Sequence, residues 1–327
     1  MKKTLKITGI ILSVIIIGIL AAGTYVKTAL PDTGEAPVLK IERTPARIER
    51  GKYLANHVAV CMDCHSTRDW SKFAGPLADS QLGGGGEKFD PDMGFPGTFY
   101  ARNITPYALG SWTDGEVFRA VTTGVSKDGS ALFPVMPYHS YGKMDKEDVY
   151  SIIAYIRTLK PVARKVPADS PDFPINFLIN TMPAEASFMT RPDEKDVLSY
   201  GKYLVTTAAC VDCHSKTEKG SIIPGTEFGG GMEFKQPAGL VRSQNITPDR
   251  ETGIGKWSKE DFVNRFMAYS DSNYTAARLG TGDLNSPMPW SMYTGMKKSD
   301  LEAIYAYLNS IGPIKNQVVK FDKNGAM

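Results

Sequence analysis

CMDCHS at residues 61–66 and CVDCHS at residues 210–215 are the two stretches on which the reading of this sequence turns. Together they use all four cysteines of a 327-residue chain, and each Cys-x-x-Cys pair is followed at once by a histidine. Four cysteines in that length are too few for a disulfide-stapled scaffold. Moving outward, the two motifs prove to be parts of an internal repeat. GKYL occurs at 51–54 and 201–204, a three-glycine run at 84–86 and 229–231, and NITP at 103–106 and 245–248. Trp112 answers Trp257, VMPY (135–138) answers PMPW (287–290), and residues 143–162 answer 295–314. The offsets lie between 142 and 152, as expected when loops change length while the elements between them persist.

The repeat predicts two homologous domains, 46–162 and 195–314. A Pro-rich linker, 163–194, joins them, and a tail, 315–327, follows. The linker carries Phe173, Phe177, Leu178 and Ile179, too apolar for a free tether, so it is expected to lie against the domains. Before the repeat, Lys2, Lys3 and Lys6 precede an uncharged run from Ile7 to Val26. Twenty helical residues at ~1.5 Å each match the ~30 Å core of a bilayer. Residues 1–27 therefore read as a membrane anchor, with lysines inside and the bulk of the chain exported. A signal peptide cleaved near Ala21-Ala22-Gly23 is the competing reading. Residues 28–45, with Pro31, Pro37 and Pro45, form a tether.

Apolar content of 42% with 22% charged residues is that of a globular protein. A net charge of +3 gives no basic footprint for nucleic acid, so no nucleic-acid partner is expected. Each repeat opens with a helical pattern running into the cysteines, through Ile48, Gly51, Leu54, Ala55 and Val58 or Leu198, Gly201, Leu204, Val205 and Ala208. Each closes with a stronger helix. Asp145 is placed to cap the first, with Val149, Ile152, Ile153, Ile156 and Leu159 on one face. Ser299 and Glu302 read as a capping box for the second. Gly51 and Gly201 are expected to let the opening helix touch the closing one, against Tyr155 and Tyr307. No alternating run is long enough for a substantial sheet, so the domains read as all-α and loop-rich, with too little apolar sequence between helices to fill a core unaided.

On a helical turn, residues three apart face the same way, so two such thiols can each form a thioether with a haem vinyl group. The adjacent histidine then supplies the proximal iron ligand. The assignment is Cys61, Cys64 and His65 to one covalently bound haem c, and Cys210, Cys213 and His214 to a second. A thioredoxin-like site would want a βαβ context, and a zinc site would draw both pairs together. For the sixth ligand, Met136 and Met288 obey the repeat and each precedes a proline, which suits an extended loop. Met144 and Met296 also obey it, but they stand at the start of the closing helix, where core packing is the plainer role. His139 is a rival to Met136, with Ser291 as its counterpart, and His57 suits a surface or packing role. Asn103/Asn245 and Trp112/Trp257 are candidates to bond haem propionates or brace the Met loop, with turn formation and core packing as alternatives.

On these residues the sequence resembles class I c-type cytochromes in tandem. More narrowly it resembles the cytochrome c subunits of membrane-bound alcohol, gluconate and aldehyde dehydrogenases. The shared phrases are GKYL…CxxCH, the Gly-rich stretch, 245–262, 136–149 and DFPINF at 172–177. The resemblance spans about 46–314. It implies two tandem class I domains behind an N-terminal transmembrane helix, with His/Met haems carrying electrons on the periplasmic face of a bacterial inner membrane. The implied partners are redox proteins: a dehydrogenase or quinol pool as donor, and a terminal oxidase or other acceptor. Those subunits usually carry three haem domains and this chain has two motifs, so a dehydrogenase subunit and a free-standing carrier both remain open. In either case the chain is expected to do no substrate chemistry of its own. A di-haem peroxidase is the enzymatic alternative. It needs a second histidine soon after a CxxCH, whereas none follows His65 until His139 and none follows His214.

Overall fold

The computed structural model describes residues 2–78, 81–218, 220–270, 274–323 and 325. It begins with α1 (Lys2–Thr28), a helix long and apolar enough to cross a membrane, whose apolar stretch is not buried by the rest of the chain. The first repeat opens with α2 (Pro45–Tyr53). Thr44 caps it by accepting from the Arg47 N–H, and Pro45 occupies the first turn, where its missing N–H costs nothing. A single π-helical turn, Leu54–Val58, carries the chain on to the short α3 (Cys61–Cys64). After β1 (Lys88–Phe89), β2 (Gly97–Tyr100) and α4 (Pro106–Leu109) comes α5 (Asp114–Thr123), begun by a Thr113–Glu116 capping box. Then follow α6 (Tyr138–Tyr141) and the closing helix α7 (Lys146–Ile156), which Asp145 caps through the Glu147 N–H. Val149, Ile152, Ile153 and Ile156 form its buried face.

Between the repeats lie β3 (Ser170–Pro171) and the one-turn α8 (Ile175–Leu178). The second repeat runs through α9 (Val197–Thr207), α10 (Cys210–Cys213), β4 (Thr217–Glu218), β5 (Ser221–Ile222), β6 (Glu233–Gln236) and β7 (Gly239–Arg242). It continues with α11 (Lys259–Met267), α12 (Trp290–Tyr293), α13 (Lys298–Ser310) and β8 (Phe321–Asp322). Helices dominate, but small antiparallel sheets are present as well. In each repeat a hairpin (β1–β2 or β6–β7) gains a third strand from the chain that follows the closing helix: β3 pairs with β2, and β8 with β7. Strands of two to four residues carry too little alternation to register in the sequence.

The opening and closing helices of each repeat cross at a glycine. A Cβ on Gly51 would lie 1.8 Å from the Ser151 carbonyl oxygen, and one on Gly201 would lie 2.0 Å from that of Ala303. Tyr307 is at the second crossing as expected, whereas at the first the nearest atoms belong to Ser151 and Ile152, not Tyr155. The contact is backbone on backbone, so no side-chain rotation relieves it. Gly51→Leu or Gly201→Leu is therefore expected to cost well over the ~1–3 kcal/mol of ordinary overpacking and to abolish most holoprotein. Wild-type yield and melting temperature in both variants would contradict this packing.

The two repeats also bond each other through equivalent residues. Tyr53 of the first GKYL donates to Asp300 Oδ2 at 2.6 Å, and Tyr203 of the second GKYL donates to Asp148 Oδ2 at 2.6 Å. Each tyrosine oxygen also accepts the backbone N–H at the start of the opposite closing helix, from Lys297 at 3.1 Å and from Asp145 at 3.3 Å. The expected Ser299/Glu302 capping box is not formed. Lys297 is the N-cap of α13, with no side-chain cap bond, and Tyr53 reaches the terminus from the other repeat. Cooperation between repeats thus replaces a local cap. His57 is part of this seam: its Nδ1 lies 2.9 Å from the Met292 carbonyl, and a Cβ on Gly295 would collide with its ring.

Candidate haem-attachment sites

Both CxxCH turns are set up by the same backbone device. Val60 and Ala209, the residues just before the first cysteine of each motif, are left-handed, with φ of 45° and 51°. Non-glycine residues visit this region rarely and a β-branched one is an outlier, costing about 1–3 kcal/mol when held there. The kink ends the opening helix and gives the Cys-x-x-Cys turn its own direction. All four cysteines are free thiols: Cys61, Cys64 and Cys210 are half-buried and Cys213 is exposed. Burial pushes the Cys61 and Cys210 thiols up to about 12, which makes them poor thiolate nucleophiles. Among the described residues no three His, Cys, Asp or Glu side chains gather as metal ligands, and the two cysteine pairs remain in separate turns.

The histidines are held alike. His65 Nδ1 lies 2.6 Å from the Arg102 carbonyl and His214 Nδ1 lies 2.7 Å from the Gln244 carbonyl. A proton on Nδ1 makes that bond and leaves the Nε2 lone pair free for a ligand, as in a metal-binding imidazole held by a backbone carbonyl. Burial lowers both histidine pKa values and the carbonyl bond offsets this only in part, which favours the neutral rings. Glycines lock the segments that carry these acceptor carbonyls to the motif. Gly85 N–H donates to the His65 carbonyl at 2.9 Å and Gly230 N–H to that of His214 at 2.8 Å. Both glycines have positive φ, and a Cβ on either would come within 2.6 Å of the backbone that carries the Arg102 or Gln244 carbonyl.

Met136 and Met288 are half-buried against the hydrophobic core, as Cys61 and Cys210 are. Each stands before a proline that starts a one-turn helix, α6 or α12, and each carbonyl accepts the N–H two residues on, at 2.7 and 2.8 Å. Those helices bond back to the CxxCH side. Tyr141 donates to the Ala59 carbonyl at 2.7 Å and Tyr293 to the Ala208 carbonyl at 3.1 Å. In each repeat a tyrosine five residues after the methionine therefore ties the methionine segment to the foot of the cysteine motif. Met144 and Met296 are buried core residues. His139 is exposed, with its ring tilted against that of Tyr138.

The asparagines have other work than a propionate or the Met loop. Asn103 donates to the Val162 and Arg164 carbonyls, and Asn245 to the Ile314 carbonyl and Thr252 Oγ1. Each Oδ1 accepts from the threonine two residues on, a side-chain-closed turn. They fasten the NITP turn to the chain leaving the closing helix. Trp112 packs against the core, but Trp257 is 38% exposed and offers little bracing.

The two sites differ in the polar groups around the cysteine turn. Beside the first, Arg68 pairs with the buried Asp63 at 2.7 Å, donates to the Ala74 and Gly75 carbonyls and stacks on Trp70, which itself bonds Glu87. The residue at the Arg68 position of the second repeat is Thr217.

Residues at both sites fit a covalently attached c-type haem. The thiol pair is free, one histidine nitrogen is committed to the backbone, and a methionine-bearing loop is tied to the motif by a tyrosine. No family model matches the chain. Among curated proteins it is 29% identical over 305 residues to the cytochrome c subunit of the quinone-dependent alcohol dehydrogenase of Komagataeibacter europaeus, covering 88% of this chain and 59% of that one. It is 30% identical over 287 residues to the fructose dehydrogenase cytochrome subunit of Gluconobacter japonicus, covering 83% and 54%. It is 28% identical over 270 residues to a di-haem c-type cytochrome of Cereibacter sphaeroides, covering 78% and 83%. The chain thus spans little more than half the length of the dehydrogenase subunits it matches. Its homologues are cytochrome c subunits of alcohol, gluconate and fructose dehydrogenases and a di-haem cytochrome c, the class its two motifs indicate.

Proposed function

We propose that the chain is a di-haem c-type cytochrome, anchored by α1, that transfers electrons on the periplasmic face of the inner membrane. Its donor would be a dehydrogenase or the quinol pool, and its acceptor a terminal oxidase or another redox protein. The observation that carries this reading is the duplication of one complete ligand arrangement: CxxCH, an Nδ1–carbonyl bond and a Met-Pro turn in each repeat. Cys61 and Cys64, and likewise Cys210 and Cys213, would form the thioethers. His65 and His214, together with Met136 and Met288, would hold the two irons. When bound, each haem would supply a one-electron iron couple, and a thioether ligand would favour its reduced state.

The chain's own part is to hold that environment unchanged in both redox states. The Arg102 and Gln244 carbonyls keep the imidazoles oriented and electron-rich. Tyr141 and Tyr293 fix the spacing between methionine and cysteine segments. The Tyr53–Asp300 and Tyr203–Asp148 bonds hold the repeats in one register, which keeps the distance between the two sites constant. Met136 and Met288, if they bind the irons, would occupy the positions that peroxide would need. The test is optical and kinetic on the purified holoprotein. A sharp reduced c-type band, low-spin iron in both sites and negligible hydrogen peroxide turnover are expected. High-spin iron with rapid peroxide turnover would instead favour a peroxidase.

A further inference from the structure

The linker segment Phe173–Ala184 contains no charged residue. Phe173 is 84% exposed and Leu178 is exposed as well, within this one uncharged stretch. The backbone here is self-sufficient. Asn176 N–H bonds the Asp172 carbonyl, the Phe177 and Leu178 N–H groups bond that of Pro174, and Met182 N–H bonds that of Ile179.

The place of this segment in the fold gives its surroundings. The Phe177 ring packs on α1 at Gly23, where a Cβ would lie 3.9 Å from Cζ. Asn180 Nδ2 donates to the Val26 carbonyl at 3.2 Å, satisfying an otherwise unpaired group at the end of α1. Gly23 lies three residues inside the apolar run that ends at Val26, about 4.5 Å down the helix axis at ~1.5 Å per residue. Tyr25, on the same turn, is 60% exposed, as aromatic side chains at a bilayer boundary are. The flanks of the linker are fixed to the first repeat by the β3–β2 pairing, and by bonds from Ala184 N–H to the Thr123 carbonyl and Met189 N–H to the Lys143 carbonyl.

We propose that Phe173–Ala184 is a membrane foot: its apolar side chains enter the headgroup–acyl boundary of the bilayer where α1 emerges, so that the first repeat rests on the lipid surface in one orientation. The inference rests on the reading of α1 as a membrane span. A segment touching α1 below the end of its apolar run must share the depth of that turn, and its apolar surface then faces lipid rather than water. The 28–45 tether is itself held along the first repeat, by the Ile41 N–H to Asp114 Oδ2 at 2.9 Å and by burial of Ile41 in the core, and the foot adds a second contact at the bilayer. With the foot in the interface, the first repeat presents one face to partners in the same membrane.

The test uses full-length holoprotein in phosphatidylcholine vesicles containing a phospholipid with a photoactivatable diazirine high on its acyl chain. Cross-links are located by mass spectrometry. The peptide containing residues 173–184 is expected to be labelled about tenfold more than the peptide containing Val319, an exposed apolar residue of the C-terminal tail, because only the former reaches the boundary region. In Phe173→Asp/Leu178→Asp that label is expected to fall to the Val319 level, with label on residues 7–26 and the haem spectrum unchanged. Label on 7–26 with none on 173–184 would overturn the foot and leave the span intact. Label on neither would overturn the span and the foot together, and wild-type labelling in the double variant would also overturn the foot.

Discussion

Met136→Ala is expected to lower the midpoint potential of one haem and leave the other in place, and Met288→Ala is expected to do the converse. The size should be on the order of 100 mV or more, a fraction of the ~0.8 V range over which axial ligation moves haem potentials. The direction follows from chemistry: a neutral thioether stabilises ferrous over ferric iron, and water or hydroxide in its place does not. Each methionine lies in the same Met-Pro turn, and the tyrosine five residues on bonds back to the cysteine motif, so loss of the sulfur leaves the loop held. Redox titration followed at the c-type band would resolve the two steps. An unchanged titration in either variant would mean that the iron at that site takes another ligand. His139, exposed on the surface, is poorly placed for that role.

Asp148→Ala is expected to be the most destabilising of the polar substitutions. Its carboxylate is 1% exposed and bonded by Arg50 through Nε and Nη2 at 2.9 and 2.7 Å, by Arg191 at 2.9 Å and by Tyr203 at 2.6 Å. Removing it strands a mostly buried guanidinium and breaks one of the two inter-repeat tyrosine bonds, a loss of about 3–5 kcal/mol. Glu147→Ala, one residue away, removes only the Arg47 pair on an exposed surface, worth under ~1 kcal/mol. The same carboxylate sets an acid limit. Burial alone would raise its pKa, but the bonds and charge of Arg50, with Tyr203 and Arg191, hold it below the ordinary carboxylate range. Its stabilising effect is therefore complete above about pH 4, the unfolded aspartate value, and is lost as the pH falls through the lower folded one. Denaturant midpoints across pH 3–7 should show this fall in the wild type and a shallower one in Asp148→Ala.

The repeat, the CxxCH turns, the Met-Pro loops and the glycine crossings were legible because each depends on local residue identity repeated at a nearly constant offset. The Asp145 cap was legible for the same reason. What could not be read were contacts between repeats and contacts made by backbone. Tyr53 and Tyr203 look like ordinary residues of an opening helix, and their bonds to Asp300 and Asp148 appear only once the two repeats face each other. The same interaction explains why Ser299 and Glu302 form no capping box. The Arg102 and Gln244 carbonyls that orient the histidines leave no side-chain signature, although both residues stand just before a repeated NITP. Tyr141 and Tyr293 share the 152-residue offset of the methionines and could have been found by it. For Asn103 and Asn245 the sequence left two roles open, because a short polar side chain beside a cofactor motif suits a propionate as well as a turn, and the structure shows the turn. Their amides are consumed by the chain leaving the closing helix.

The central claim is that both repeats carry haem by covalent attachment, and the most direct measurement is the number of haems that stay with the denatured chain. Intact mass spectrometry under denaturing conditions, paired with pyridine haemochrome absorbance per chain, is expected to give two covalently bound haems. Cys210→Ser/Cys213→Ser should retain one. A wild-type chain whose mass equals the bare polypeptide, or that carries a single haem, would contradict the account.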